Sequence, residues 1–151
     1  MAVAELTTDE RTAIEHRAEM LAAATADDVR ACADRCLAIL GEPVVIEAPT
    51  TGIVMMQVRE PVACERFHLG EVVVTRAEVE LAGHRGWATR MGGDRVTALA
   101  AAICDAAAET PGPTAEMVAD VVLDTERARE RRERHLATTL QPTIVAFEEL
   151  D

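Results

Sequence analysis

Residues 64–105 read CERFHLGEVVVTRAEVELAGHRGWATRMGGDRVTALAAAICD, and no other stretch narrows the fold as much. Phe67, Leu69, Val72, Val73, Val74, Val79 and Leu81 are interleaved with Arg66, His68, Glu78 and Glu80. That is close to the two-residue period of a strand with one face on a core. Residues 65–81 exceed the roughly 5–6 residues of an ordinary strand, so a bulge or bend is expected at Gly70 and at Thr75-Arg76-Ala77. Residues 82–86 read as a loop and residues 87–91 as an antiparallel return, with Phe67 and Trp87 expected to be buried and close together. Gly92-Gly93 ends that strand. Asp94 then caps a helix whose apolar positions Val96, Leu99, Ala100, Ile103 and Ala107 fall at helical spacing. A carboxylate at this position accepts backbone N–H groups that a helix start leaves unpaired.

On the amino-terminal side, Thr7 with Glu10 fits a capping box, which opens a helix running to about Ala24. Thr25 with Asp28 repeats the box. Its helix ends at Leu40 before Gly41 and buries Val29, Cys32, Cys36 and Ile39 or Leu40. The two form a helical hairpin. Two strands follow, 44–46 and 53–58, separated by a Pro49-Thr50-Thr51-Gly52 turn; Ile53-Val54-Met55-Met56 predicts cover on both faces of the second. Thr110-Pro111-Gly112-Pro113-Thr114 is the clearest loop. Residues 115–122 read as a short helix or a crossover, Asp124 or Thr125 opens a charged helix that Pro142 ends, and residues 143–147 can add a last strand. The fold class is α+β: one domain over residues 1–151, with a largely antiparallel sheet packed by helices behind an N-terminal helical hairpin.

Composition decides which functions remain. Phe67, Trp87 and Phe147 are the only aromatic residues, so the core rests on Ala, Val, Leu, Ile and Met. The net charge of −12 argues against nucleic acid as a partner, since such binding draws on neutralised phosphates. The chain has no Ser, Lys, Tyr or Asn, and all 15 cationic side chains are arginine. That removes a serine triad, a Schiff-base lysine and a phosphate-loop lysine. The sequence shows no basic segment followed by an apolar one at its start and no run near the roughly 20 apolar residues that span a bilayer. The expectation is a cytoplasmic protein with reduced thiols and no membrane contact.

Cys32 and Cys36 lie one helical turn apart, a spacing that serves core packing better than a zinc site, and Cys104 beside Ile103 is core-like too. His68, His84 and His135 form no paired ligand motif. Gly92-Gly93-Asp94-Arg95 offers a helix start to a phosphate, but lacks both glycine-rich nucleotide patterns, and Asp94 would repel an anion. A plain strand–turn–helix junction is favoured. Arg127, Arg129, Arg131, Arg132 and Arg134 alternate with Glu126, Glu130 and Glu133, and Glu130 precedes Arg134 by four, the favourable order for a helical ion pair. Such a helix suits solvent or another subunit. No catalytic and no metal-binding residues are assigned. Arg66, His68, Arg76, Arg90, Asp94 and Arg95 are the candidates for substrate or partner binding. A self-contained small-molecule or metal-binding protein is the alternative reading.

The segments TTGIVMMQVRE and CERFHLGEVVVTRAEVELAGHRGWATRMGGDR, followed by the alanine-rich helix, resemble the G subunit of the bacterial carbon–phosphorus lyase system, the PhnG family. The matching features are Thr51-Gly52, Glu65-Arg66-Phe67, Gly70, Thr75-Arg76-Ala77 with Val79 and Leu81, Gly86-Trp87, Gly93-Asp94, and Leu123-Asp124 with Arg127 and Arg134. The likeness extends over roughly residues 10–149, a whole-domain match; Cys32 and Cys36 are not part of it. The resemblance implies an accessory subunit acting with the H, I, J and ATPase-like L proteins. In that system a phosphonate displaces adenine from C1′ of ATP to give an α-D-ribose 1-phosphonate 5-triphosphate. ATP is then a substrate of the complex, and this chain binds no cofactor of its own. A chain without Ser, Lys or Tyr suits a subunit whose partners carry the chemistry.

Overall fold

A computed structural model describes residues 8–141. The expected Thr7–Glu10 capping box and the strand at 143–147 involve residues outside that range. Four helices and three strands follow in the order α1 (Thr8–Ala23), α2 (Ala26–Leu40), β1 (Val44–Arg59), β2 (Arg66–Leu81), β3 (His84–Met91), α3 (Arg95–Ala108) and α4 (Pro113–Leu140). The sheet is antiparallel with order β1-β2-β3, which is the α+β architecture the sequence predicts.

Both amino-terminal helices form as expected, but they do not pack on each other as a hairpin: α1 lies against α3, α4 and β3, and α2 against α3 and α4. Thr25 accepts from the Asp28 N–H, and Gly41 closes α2 at φ 87 with its N–H on the Leu37 carbonyl. Val29, Cys32, Ala33 and Cys36 are its buried face. Asp94 caps α3 by accepting from Thr97 N. Alanine dominates α3, and from Thr97 to Ala107 nearly every residue is buried. The helix is enclosed by the sheet on one side and α1, α2 and α4 on the others. Small side chains permit this close approach. Where β3 crosses α3, a Cβ on Gly86 would lie 2.2 Å from Ala106 N and 2.3 Å from Ala102 O, so only glycine fits. Val96, expected on the buried stripe, is exposed because α3's first turn precedes the enclosed segment.

The β expectations need four corrections. Residues 44–59 form one 16-residue strand, not two. The Pro49 segment is absorbed as bulges, with register shifts between Val45 and Glu47 and between Glu47 and Thr50. β2 is likewise one 16-residue strand. The irregularity expected at Gly70 is present, where Met56 and Gln57 face Gly70 and His68 and leave Leu69 as the extra residue; the Glu47–Thr50 shift of β1 falls opposite Arg76 to Glu78, while Thr75-Arg76-Ala77 stays in regular register with β3. The loop at 82–86 shrinks to a two-residue turn, since Leu81 already pairs with His84. Ala82 and Gly83 both have positive φ, 51 and 82, the combination a tight hairpin turn requires. Finally, Phe67 and Trp87 are neither buried nor close. They are 45% and 43% exposed, Phe67 opposite Val58 and Trp87 opposite Glu78, at opposite ends of β2. The helices pack only where β2 and β3 present Thr75, Ala77, Val79, Leu81, Gly86 and Ala88, and both aromatics project from the other face or beyond it.

The short helix and charged helix expected after the Pro-Gly-Pro loop are one helix of 28 residues. Val118 and Thr125 are buried against the body, and the charged part continues the same axis.

Candidate functional site

The sheet is longer than the helical layer. β3 ends opposite Val74, and at that row Thr75 Oγ donates to the Gly92 carbonyl (2.7 Å), Thr51 and Thr75 hydroxyls meet at 3.0 Å, and Gly92 N donates to Val73 O (2.8 Å). Beyond this clasp β1 and β2 continue alone as a two-stranded arm from Ile53 and Val73 to Arg59 and Arg66, roughly 20 Å at the usual strand rise. The arm exposes Ile53, Val54, Met55, Phe67, Leu69 and Val73. Continuous apolar exposure of this kind marks an interaction surface in a soluble protein. The expected cover on both faces of residues 53–56 is not supplied by this chain, because its helices stop at Thr75.

The six candidate residues fall into three places. Arg66 and His68 are exposed on the arm, paired in register with Arg59 and Gln57. Arg76 lies on the open face of the sheet and is held by Glu47 (3.3 Å) and Glu78 (3.4 Å). Arg90, Asp94 and Arg95 gather at the start of α3 with Arg30, which the sequence reasoning did not single out. Arg30 Nη2 bonds Asp94 (2.7 Å) and its Nε bonds Thr97 Oγ (2.9 Å). The Thr97 N–H and hydroxyl, with Arg30, hold the Asp94 carboxyl down at about 2. Arg90 turns inward, donating to the carbonyls of Leu21 and of Ala24 (2.7 Å) that the end of α1 leaves unpaired. Burial lowers its pKa, and Asp94 partly offsets this. The helix start is therefore filled by its own carboxylate, and Arg90 is a structural cap. Arg95 is exposed at the first turn.

Two constellations escaped the sequence reasoning. The buried Asp105 carboxylate accepts from Arg17 Nε (2.8 Å) and from the Trp87 backbone N–H (3.1 Å), joining α1, α3 and β3. Arg17 also reaches Glu109 at 2.6 Å. Burial opposes its charge, but Asp105 and Glu109 outweigh it and raise its pKa. The signal available was a lone acid in an otherwise apolar helix. The second is a groove of about 500 Å³ between α1 and α4, lined by Ala13, Val118, Ala119, Val122 and Leu123. At its end His16 stands 3.6 Å from Glu126. The volume suits a small ligand. Its polar groups are already committed, however, His16 to Glu126 and Arg17 to Asp105 and Glu109. His16 was legible only as a helical neighbour of Ala13 and Met20.

Cys32, Cys36 and Cys104 are buried where α2 meets α3, while Cys64 is exposed on the arm's tip loop. Hydrogen bonding from Cys104 lowers the Cys32 thiol; burial raises Cys36, and bonding to Cys32 with burial raises Cys104. Among the described residues, no three His, Cys, Asp or Glu side chains form a metal-binding group. In the same range, no helix is long and apolar enough to cross a membrane.

The comparison with individual curated proteins returns no match. The family model described as phosphonate metabolism protein PhnG matches residues 12–150, spanning both the enclosed α3 body and the arm. By that match the chain belongs to the PhnG family of phosphonate metabolism proteins.

Proposed function

We propose that this chain is an accessory subunit of a carbon–phosphorus lyase core complex. There it takes part with the H, I, J and ATPase-like L proteins in forming α-D-ribose 1-methylphosphonate 5-triphosphate from ATP and methylphosphonate. ATP is the substrate of the complex, the chain itself contributes no cofactor, and its place of action is the cytoplasm. One observation carries the reading. Among the described residues, a β-arm left bare by the chain's own helices exposes Ile53, Val54, Met55, Phe67, Leu69 and Val73 together, as in a protein that completes its structure against another. The arrangement of charged groups agrees with it. Displacement at C1′ needs stabilised positive charge on the ribose and assistance to the departing adenine, whereas Asp94 is tied up as a helix cap, Glu47 and Glu78 in ion pairs with Arg76, and Asp105 and Glu109 on Arg17.

The test is co-purification with the other core proteins, followed by adenine release from ATP and methylphosphonate with and without this chain. The expected result is a stable complex whose activity requires the chain and no turnover by the chain alone. Turnover by the isolated chain at the rate of the complex, abolished by one Asp or Glu substitution, would make it an enzyme in its own right.

A further inference from the structure

The arm is apolar on both of its faces, which is unusual for an exposed ribbon. Direct cross-strand partners share a face. Ile53 with Val73, and Met55 with Glu71, continue the face that elsewhere meets the helices; Val54 with Val72, and Val58 with Phe67, lie on the other. Ile53 and Met55 are 65% and 60% exposed, Val54 and Phe67 46% and 45%. An antiparallel sheet resting against one surface needs only one apolar face. A two-stranded ribbon alone in water is also marginal in stability.

The end of the arm adds a second observation. Arg59 and Arg66 are direct register partners, and like charges placed opposite each other destabilise a strand pair. No ion pair joins either to another described residue. The nearby Glu60 carboxylate is committed to the backbone N–H groups of Val62 and Ala63 (2.5 and 2.6 Å). Segment 52–74 holds only two arginines and three glutamates in a chain of net charge −12, so the acidity lies mainly on the body.

We infer that the arm is an insertion element: it enters a slot in a different subunit that closes on both faces with apolar walls and presents carboxylates to Arg59 and Arg66 at its far end. This rests on the accessory-subunit reading above and specifies its partner surface. A second copy's arm lying across this one would cover one face and leave the other bare, so a slot in another chain fits better. The arginine pair gives the slot a direction, because only full insertion brings its carboxylates to the two guanidinium groups.

Cys64, between the two arginines in the tip loop, supplies a native reporter, since the other three cysteines are buried. The experiment uses the full chain, alone and co-expressed with the other core proteins. Maleimide labelling of Cys64 is expected to be fast in the isolated chain and at least tenfold slower in the complex. Arg59→Glu with Arg66→Glu is expected to weaken assembly at least tenfold while leaving the circular dichroism and Tm of the isolated chain unchanged. Unchanged assembly of the double variant, or equal Cys64 labelling in both states, overturns the insertion and leaves the subunit reading standing. An isolated chain that sediments as a dimer and is dissociated by the same variant shows that the arm serves a second copy, which overturns it too. Normal assembly with a tenfold loss of apparent ATP affinity also refutes it, because the arginines then serve phosphate. Failure of the wild-type chain to join any complex overturns both readings.

Discussion

At the scale of single residues, the positions that matter most are small or buried. Gly86 has α3 backbone where a Cβ would stand. Gly86→Ala is expected to destabilise by about 3 kcal/mol or more, visible as a large drop in the urea midpoint. Ala82 pays for a left-handed conformation at φ 51 beside Gly83. Ala82→Asn, which favours that turn, should stabilise by about 1 kcal/mol. Asp105 and Glu109 both bind Arg17, but the Asp105 side chain is 4% exposed and that of Glu109 42%. Asp105→Ala, which removes the buried carboxylate shared by Arg17 and the Trp87 N–H, is expected to lose about 3 kcal/mol, and Glu109→Ala less than about 1 kcal/mol; thermal melts of the two variants separate these outcomes. Phe67→Ala, by contrast, should change the stability of the isolated chain by no more than about 0.5 kcal/mol, as at other surface positions. Two-residue alternation suggested a buried Phe67, but alternation reports only that two faces differ. Whether helices reach a given row is a long-range fact that Phe67 and its neighbours do not encode.

At the scale of elements, the caps were the most legible part of the sequence. Thr25, Gly41 and Asp94 mark their helix ends through contacts made within a few residues, so local chemistry identifies them. The Asp94 cap carries a pH signature. Its folded pKa, about 2, lies below the ordinary value of 3.8. Its stabilisation is therefore complete above about pH 4 and is lost as pH falls through 2. Asp94→Ala should lower Tm near neutrality, and the gap from the wild type should close across that acid window. Arg90 acts between elements, on the last carbonyls of α1, and its partners lie more than sixty positions away in sequence. Nothing near it foretold that role, and the reading of Arg90 as a binding residue came from its proximity to the glycine turn. The same limit explains the joined strands and the undivided α4. Pro49 suggested a turn because proline breaks ladders, yet a bulged edge strand tolerates it. The Leu123-Asp124-Thr125 segment resembled a helix start, yet Val118 and Thr125 dock the helix continuously to the body.

At the scale of the whole molecule, an alanine-built body with its own clasp carries an arm that it does not itself support. If the arm tip meets carboxylates, raising the salt concentration should weaken assembly without altering the Tm of the isolated chain, a contrast that titration calorimetry and melting curves read separately. The family's sheet-and-helix pattern was legible because it repeats at short range; the excess of strand over helix layer appears only when both are set side by side. The enclosure of α3 has a kinetic consequence. Because that helix touches every other element, it cannot be exposed while they remain in place. Its amide protons should exchange with deuterium only through global unfolding, and so report the full free energy of the fold. Amides of the arm should exchange through local opening, orders of magnitude sooner, until the arm is covered. One deuterium time course thus holds two clocks, and an added partner should slow both, the faster by covering the arm and the slower by the free energy that binding adds to the fold.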